Sequence, residues 1–247
     1  MLTPERHGFS GVTASKGVFF MSSVTETMRS PAKSRISIRK LSVAAMLSAV
    51  AFVLMFLEFP IPALIPAFIK MDFSDLPALL GSFALGPVYG VVIELVKNLL
   101  HILIKGTSSA GVGELFNFLC GGVFAFVAGT IYLVRKPKAD AGLTRQEIRR
   151  KGRAAAILSC LLGALAMALI SVPLNYFVVY PAYVVCYGMP MDAIVGMYHA
   201  ILPSAGSLFS CLVIFNLPFT FVKGILDALL CFLIYKPLSP LLHKGIR

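Results

Sequence analysis

The 247-residue chain is 58% hydrophobic and only 13% charged, with a mean hydropathy of +0.87. A soluble domain carries roughly a quarter charged residues, so the composition excludes one and indicates an integral membrane protein. Frequent Gly and Pro without long alternating strands favour helices over an outer-membrane barrel. The net charge of +11 would suit a nucleic-acid partner, but its placement argues against one. Of the 22 Lys and Arg, 7 precede Leu41, 8 lie between Arg135 and Arg153, and 3 follow Tyr235. Basic clusters confined to alternate loops mark the cytoplasmic side. The basic loop 135–153 contains no interleaved aromatics for base stacking, which leaves anionic lipid as a secondary contact.

Residues 1–40 are basic and rich in Ser and Thr, and the short apolar patch Gly17–Met21 is too small for a signal-peptide core. This stretch reads as a disordered cytoplasmic tail, with Met21 or Met28 as alternative starts. Six apolar spans are expected next, at about Leu41–Phe59, Asp75–Leu85, Val88–Ile104, Val112–Val134, Ala154–Tyr180 (kinked at Pro173) and Leu208–Tyr235. Gly86-Pro87 marks either a break in one helix or a tight turn between two. The turn restores the charge topology: six crossings return the C-terminus to the cytoplasm, whereas five would place Lys236, Lys244 and Arg247 outside. The expected fold is therefore an all-α membrane protein of six transmembrane helices with both termini cytoplasmic. Residues 41–240 form the membrane domain, 241–247 a short cytoplasmic tail, and 181–207 an outer segment rich in Pro, Gly and Met.

Several polar groups fall in or beside these spans. Phe68-Ile-Lys-Met-Asp-Phe-Ser-Asp-Leu-Pro77 sets one Lys and two Asp between two long apolar segments. Such charges must pair, reach water or meet a ligand, so the stretch is either an ordinary interfacial loop or a binding loop folded over a membrane-embedded site. Glu94, Lys97, Asn98 and His101 share a helix face, as a paired structural stripe or a proton relay. Lys223 and Asp227, four apart, are placed to neutralise each other. Lys70, Asp72, Glu114, Asn117 and Asn175 belong to the outer half, with Asn216 and Lys223 deeper. Amides and charges among Phe and Tyr suit a solute that is part aromatic and part polyhydroxyl.

Enzyme chemistry has little support. HExxH, a nucleophile elbow and GxxxxGK[ST] are all absent from the sequence, so hydrolysis of ATP by a Walker site is excluded and no catalytic residue is assigned. The five cysteines form no CxxC and have no His at metal-ligand spacing, which points to free thiols and no metal. A hydrolase would need Ser108, Ser109 or His199. A proton-coupled carrier would use Glu94, Lys97 and His101, and its uptake would stop when the proton gradient is collapsed.

With Lys70-Met-Asp-Phe-Ser-Asp-Leu-Pro-Ala-Leu-Leu-Gly81, Gly86-Pro-Val-Tyr-Gly90 and Gly106-Thr-Ser-Ser-Ala-Gly-Val-Gly-Glu-Leu-Phe-Asn117, the chain resembles the riboflavin-binding substrate subunit of energy-coupling factor (ECF) transporters over about residues 41–240. The resemblance implies a multi-pass subunit of the prokaryotic plasma membrane with no cofactor of its own. It would capture riboflavin, with flavin mononucleotide (FMN) as a second candidate ligand, in an outward-facing pocket. The loop Leu64–Ser74 would cap that pocket. The pocket would draw on Glu114 and Asn117, from the matching motif, and on Asn175 and Lys223 by position; Phe68, Lys70, Asp72 and Asn216 complete the candidate binding set from their place beside the spans. The small-residue pair Ala45 and Ala49 would dock on a transmembrane coupling subunit driven by two cytoplasmic ATPases. Sister subunits for pantothenate, thiamine or folate share the same size and helix pattern. Two features depart from the family: the N-terminal extension and the long segment Pro181–Ser207, whose Tyr183, Tyr187 and Tyr198 could join the cap.

Overall fold

The computed structural model describes residues 37–107, 109–137 and 144–243, with side chains given up to residue 234. The expected tail therefore lies almost wholly outside the described residues, as do Ser108 and residues 244–247. Ile38–Arg247 forms a compact unit of its own.

The long helices are α1 (Ile38–Met55), α3 (Pro87–Lys105), α4 (Val112–Arg135), α5 (Arg145–Leu174) and α9 (Leu217–His243). Between α1 and α3 lie a two-residue antiparallel ladder, β1 (Phe59–Pro60) with β2 (Lys70–Met71), and the ten-residue helix α2 (Leu76–Leu85). After α5 the chain passes through one π-helical turn (Asn175–Val179) into α6 (Tyr180–Tyr187), then α7 (Met191–His199) and α8 (Leu208–Cys211). A second π-helical turn, Leu212–Asn216, leads into α9.

Among the described residues five stretches are long and apolar enough to cross a membrane: α1, α3, α4, Arg145–Tyr187 and Leu208–Ile234. Large apolar side chains such as Val53, Leu103, Leu169, Phe177, Leu229 and Leu233 stand exposed on them. In water such a surface would be an aggregation hazard, whereas in a bilayer it faces hydrocarbon. The sixth expected span is α2. At 1.5 Å per residue it is about 15 Å long, half of the hydrocarbon thickness.

Gly86-Pro87 is the tight turn rather than a break in one helix. Gly86 has φ +119°, a conformation reserved for glycine, and Pro87 then starts α3 without needing its missing N–H. The two helices run back antiparallel. A Cβ on Gly81 would strike Ile93, one on Gly90 would strike Ser82 and the Ala78 carbonyl, and Asp75 reaches Lys97.

The sequence-based boundaries differ from the structure in three places. The first helix stops at Met55, and the ladder begins at Phe59. The basic stretch is helical from Arg145, because Thr144 and Glu147 form a reciprocal capping box that starts α5 nine residues early. Hydropathy alone reads those arginines as loop. Past Pro173 the helix continues as expected, through the π turn, but it runs on to Tyr187 instead of ending at Tyr180. The outer segment also holds two short helices of its own, α6 and α7.

The bundle packs α4 against α3 and α5, α5 against α9, and α1 against α2 and α3. Its middle is Leu76, Leu79, Phe124, Ala164 and Met167, with the buried thiols Cys120, Cys160 and Cys231. Glycine permits the closest approaches. Gly121 lies against the Glu94 carboxylate, Gly163 against Phe124, and Gly129 against Ser82, whose hydroxyl donates to the Ala125 carbonyl at 2.5 Å. Gly163→Val is expected to lower stability by about 1–3 kcal/mol through overpacking, measured as a fall in unfolding temperature in detergent. Gly152→Val, where a Cβ meets open space, should not lower that temperature, since valine has the higher helix propensity.

Candidate functional site

A cavity of about 560 Å³ opens among the cap loop, the α3–α4 loop and the facing sides of α4, α5 and α9. Small-molecule sites run about 300–1,000 Å³. Every residue expected at the site lines this one cavity: Phe68, Lys70, Asp72, Glu114, Asn117, Asn175, Asn216 and Lys223. Ala45 and Ala49 stand apart on the exposed face of α1.

The floor is electrostatic. Lys223 on α9 pairs with Asp72 Oδ2 at 3.2 Å and with Asp75 Oδ2 at 3.0 Å. Lys97 on α3, fully buried, holds Asp75 Oδ1 at 2.5 Å and Glu94 at 2.8 Å, and donates to Ser74 Oγ at 2.8 Å. Ser74 in turn donates from both its N–H and its hydroxyl to Asp72 Oδ1. Lys97, Asp75, Lys223, Asp72 and Ser74 thus form a closed ring. The reading of Lys97 as a paired structural group holds. Lys223 does not neutralise Asp227 as its spacing suggested. It points to the cap loop instead, and both buried Asp227 oxygens lack a hydrogen-bond partner among the described residues.

On the α3–α4 side the wall is built by Thr107 and Ser109 hydrogen-bonded around Glu114. Thr107 Oγ1 accepts from the N–H groups of Ser109 and Gly111, and Ser109 Oγ accepts from that of Gly113. Both hydroxyls then donate to Glu114 Oε2, at 3.0 and 3.1 Å, while His101 Nδ1 lies 3.2 Å from Oε1. Glu114 is therefore the hub of its loop as well as a cavity group. The Glu114 carboxylate stands between Ser109 and His101, so the serine hydroxyl meets the carboxylate and not the imidazole. His199 is spent on the Ala205 carbonyl.

The π turns place the two deep amides. Asn175 opens one and donates to the Ser171 carbonyl at 2.9 Å. Asn216 closes the other, accepting from the Tyr198 hydroxyl at 2.6 Å and donating to that of Tyr180 at 3.2 Å. The two tyrosine hydroxyls also bond each other. Of the outer-segment tyrosines, Tyr183 lines the cavity, Tyr198 backs it through Asn216, and Tyr187 stacks edge-on against Tyr183. Phe68 meets Tyr180 and Tyr183 edge-on, at centroid distances of 6.1 Å.

Sequence reasoning missed Glu58, Asp75, His101, Lys105, Thr107, Ser109 and Thr220 as cavity residues. Asp75, Thr107 and Ser109 lay inside stretches already singled out, so their motif was the available signal. Glu58 and Lys105 gave none.

Residues 39–235 match the family model described as ECF transporter, substrate-specific component. The chain belongs to this family. It is 35% identical over 209 residues to the riboflavin transporter FmnP of Bacillus subtilis (strain 168), covering 84% of this chain and 95% of that one. Against the riboflavin transporter RibU of Staphylococcus aureus (strain TCH60) identity is 33%, covering 83% and 93%. The solved S component of a bacterial ECF transporter aligns with a TM-score of 0.58 at 32% identity, over 83% of this chain and 98% of that one. The membrane character of the chain and its place among transporter components rest on these matches together with the apolar helices.

At the rim, Glu58 Oε1 accepts from Lys70 and from Lys105, both at 2.8 Å, tying the ladder to the ends of α1 and α3. Burial alone would raise the Glu58 carboxyl. The hydrogen bonds from Lys105 and Lys70 outweigh it and hold the group below its ordinary 4.5. A depressed carboxyl contributes fully above its ordinary value and loses that contribution as pH falls through the folded one. Acidification below about pH 4.5 should therefore loosen the cap, seen as lower protection factors at residues 59–71, with each exchange rate taken relative to the intrinsic rate at that pH. The effect should stay within about 1 kcal/mol because the groups are partly exposed. Glu58→Gln should show the lowered protection already at neutral pH and lose most of the dependence.

Proposed function

We propose that this chain is the riboflavin-capturing subunit of an ECF-type importer, holding the vitamin in the 560 Å³ cavity beneath the cap loop. What carries the reading is the chemistry of the lining. Asn117, Asn175 and Asn216, with Asp72 and Lys223, offer acceptors and donors, while Phe68, Tyr180, Tyr183 and Phe219 offer flat apolar surface. A ring system with polar edges and a hydroxylated tail uses both. The names of the two bacterial relatives, each a riboflavin transporter, support the same ligand. FMN is the second ligand to consider, since Lys70 and Lys105 at the rim share one carboxylate and could meet a phosphate.

The chain supplies capture, and uptake then needs a partner. In this reading a transmembrane coupling subunit docks on the face carrying Ala45 and Ala49, where exposed small side chains allow close helix approach. Two cytoplasmic ATPases drive that subunit. Six crossings, with α2 as the short second one and both termini cytoplasmic, complete the arrangement, and the chain performs no catalysis itself.

Titration of the detergent-purified protein with riboflavin tests this directly. Stoichiometric quenching of flavin fluorescence at one vitamin per chain is expected. Lys223→Met should raise the Kd about 10- to 100-fold, as loss of a charged hydrogen bond would. Unchanged flavin fluorescence with the wild-type chain would overturn the ligand and call for a panel of other vitamins.

A further inference from the structure

Lys97 is the buried group that the capture reading leaves unused. It is 0% exposed and does not line the cavity, and neither does Ser74. Its ammonium nonetheless contacts three groups, and two of them lead straight to the cavity floor. Through Asp75 it reaches Lys223, and through Ser74 it reaches Asp72. Both floor carboxylates, Asp72 and Asp75, are thereby held at both oxygens. Asp72 takes Ser74 on Oδ1 and Lys223 on Oδ2, and Asp75 takes Lys97 on Oδ1 and Lys223 on Oδ2.

We propose that Lys97 is the positioning residue of the ligand site: without touching the ligand, it fixes the orientation of Asp72 and Lys223 in the cavity floor through Ser74 and Asp75. The inference rests on the cavity being the flavin site. Two alternatives for the stripe on α3 fit less well. A proton relay would continue toward His101, yet His101 turns to Glu114, and its remaining nitrogen has no hydrogen-bond partner among the described residues. A bare ion pair with Glu94, one turn away on the same helix, would leave the bonds to Asp75 and Ser74 without a purpose.

The ring explains why a lysine is used. One ammonium can donate along three diverging directions: Asp75 and Ser74 take one hydrogen bond each, and Glu94 lies at ion-pair distance, 2.8 Å. Met at this position fills the same volume and donates none. Asp75 is then held by Lys223 alone, and Asp72 by Lys223 and a Ser74 whose Oγ has lost its donor, so Lys223 has several arrangements open to it. The ligand must select one, and the cost of ordering it appears as weaker binding.

The test compares wild type, Lys97→Met and Ser74→Ala by flavin titration, reading Kd and the number of binding sites separately. The expected result is a Kd raised roughly 10- to 100-fold in Lys97→Met, the range seen when an outer partner of a binding group is removed. The number of sites should stay near one per chain. Ser74→Ala, which removes one link and no charge, should raise Kd severalfold and guards against a Lys97→Met chain that does not fold. Native Kd in both variants, or fewer sites at native Kd, would reduce Lys97 to a structural role and overturn the proposal. Trace acetylation of Lys223 by acetic anhydride, read by mass spectrometry, needs no ligand. Faster labelling of Lys223 in both variants supports the proposal, and labelling at the wild-type rate overturns it. Should wild type leave flavin untouched, the ligand assignment falls, and the acetylation result alone decides the role of Lys97.

Discussion

The ring of Lys97, Asp75, Lys223, Asp72 and Ser74 is the constraint around which the rest of this molecule is arranged. Ions withdrawn from water inside a bilayer are stable only when their partners are placed in advance. Removing one member of a buried pair typically costs about 3–5 kcal/mol, because the other is left uncompensated. Here the partners come from three places distant in sequence: the loop after α1, the middle of α3 and the second turn of α9. None of those elements can slide by a turn without stranding a charge. An apolar seam of Leu and Ala would tolerate that slip far better, so the ring sets the register that the core then fills.

The ring also accounts for the length of α2. Asp75 immediately precedes that helix, and its partner Lys97 lies ten residues, about 15 Å, beyond the Gly86 turn. The chain must therefore begin α2 near mid-depth, and the twenty residues between α1 and α2 descend into the bundle as cap loop. Non-helical backbone at that depth is tolerable only where it is buried in protein or lines a cavity. Here it does both, as Asp72 is 4% and Ser74 1% exposed, and Phe68, Ile69, Lys70, Asp72 and Asp75 line one side of the cavity. A full-length second helix would fill the volume that the cavity now occupies.

Much of this was legible in the sequence and some was not, for reasons that can be located. Hydropathy and the distribution of basic residues revealed the apolar helices, because lipid solvation acts on each segment separately. The site residues stood out because Lys, Asp, Glu and Asn inside apolar runs are costly and so mark polar business. Pairing was harder to read. Lys223 and Asp227 are correctly spaced for each other on one helix, yet Lys223 goes to Asp72, 151 positions away in the chain. Spacing reports who can meet, and only the tertiary arrangement reports who does. Glu58 and Lys105 were invisible for a related reason: each sits at a helix end, where a charge is ordinary. The π turns at Asn175 and Asn216 have no sequence mark beyond a nearby proline, and they rotate both amides into the cavity.

The two ends of the cap are held by forces of different kinds, and this bears on how a capture subunit could open and close. At the rim, Lys70, Lys105 and Glu58 are partly exposed, with side-chain exposures of 24–42%. Water and salt can replace such contacts at little cost. At the floor, Ser74 and Asp75 are locked into the ring and shielded from both. Motion of the loop is therefore cheapest as a hinge, with the β1–β2 ladder swinging away while Asp72 to Asp75 stay in place. Opening in that sense uncovers Phe68 and the aromatic wall but leaves the charged floor formed and oriented. A ligand entering such a site pays for ordering the rim alone, and its affinity for the closed state relative to the open one is set by what it adds at Phe68 and Lys70.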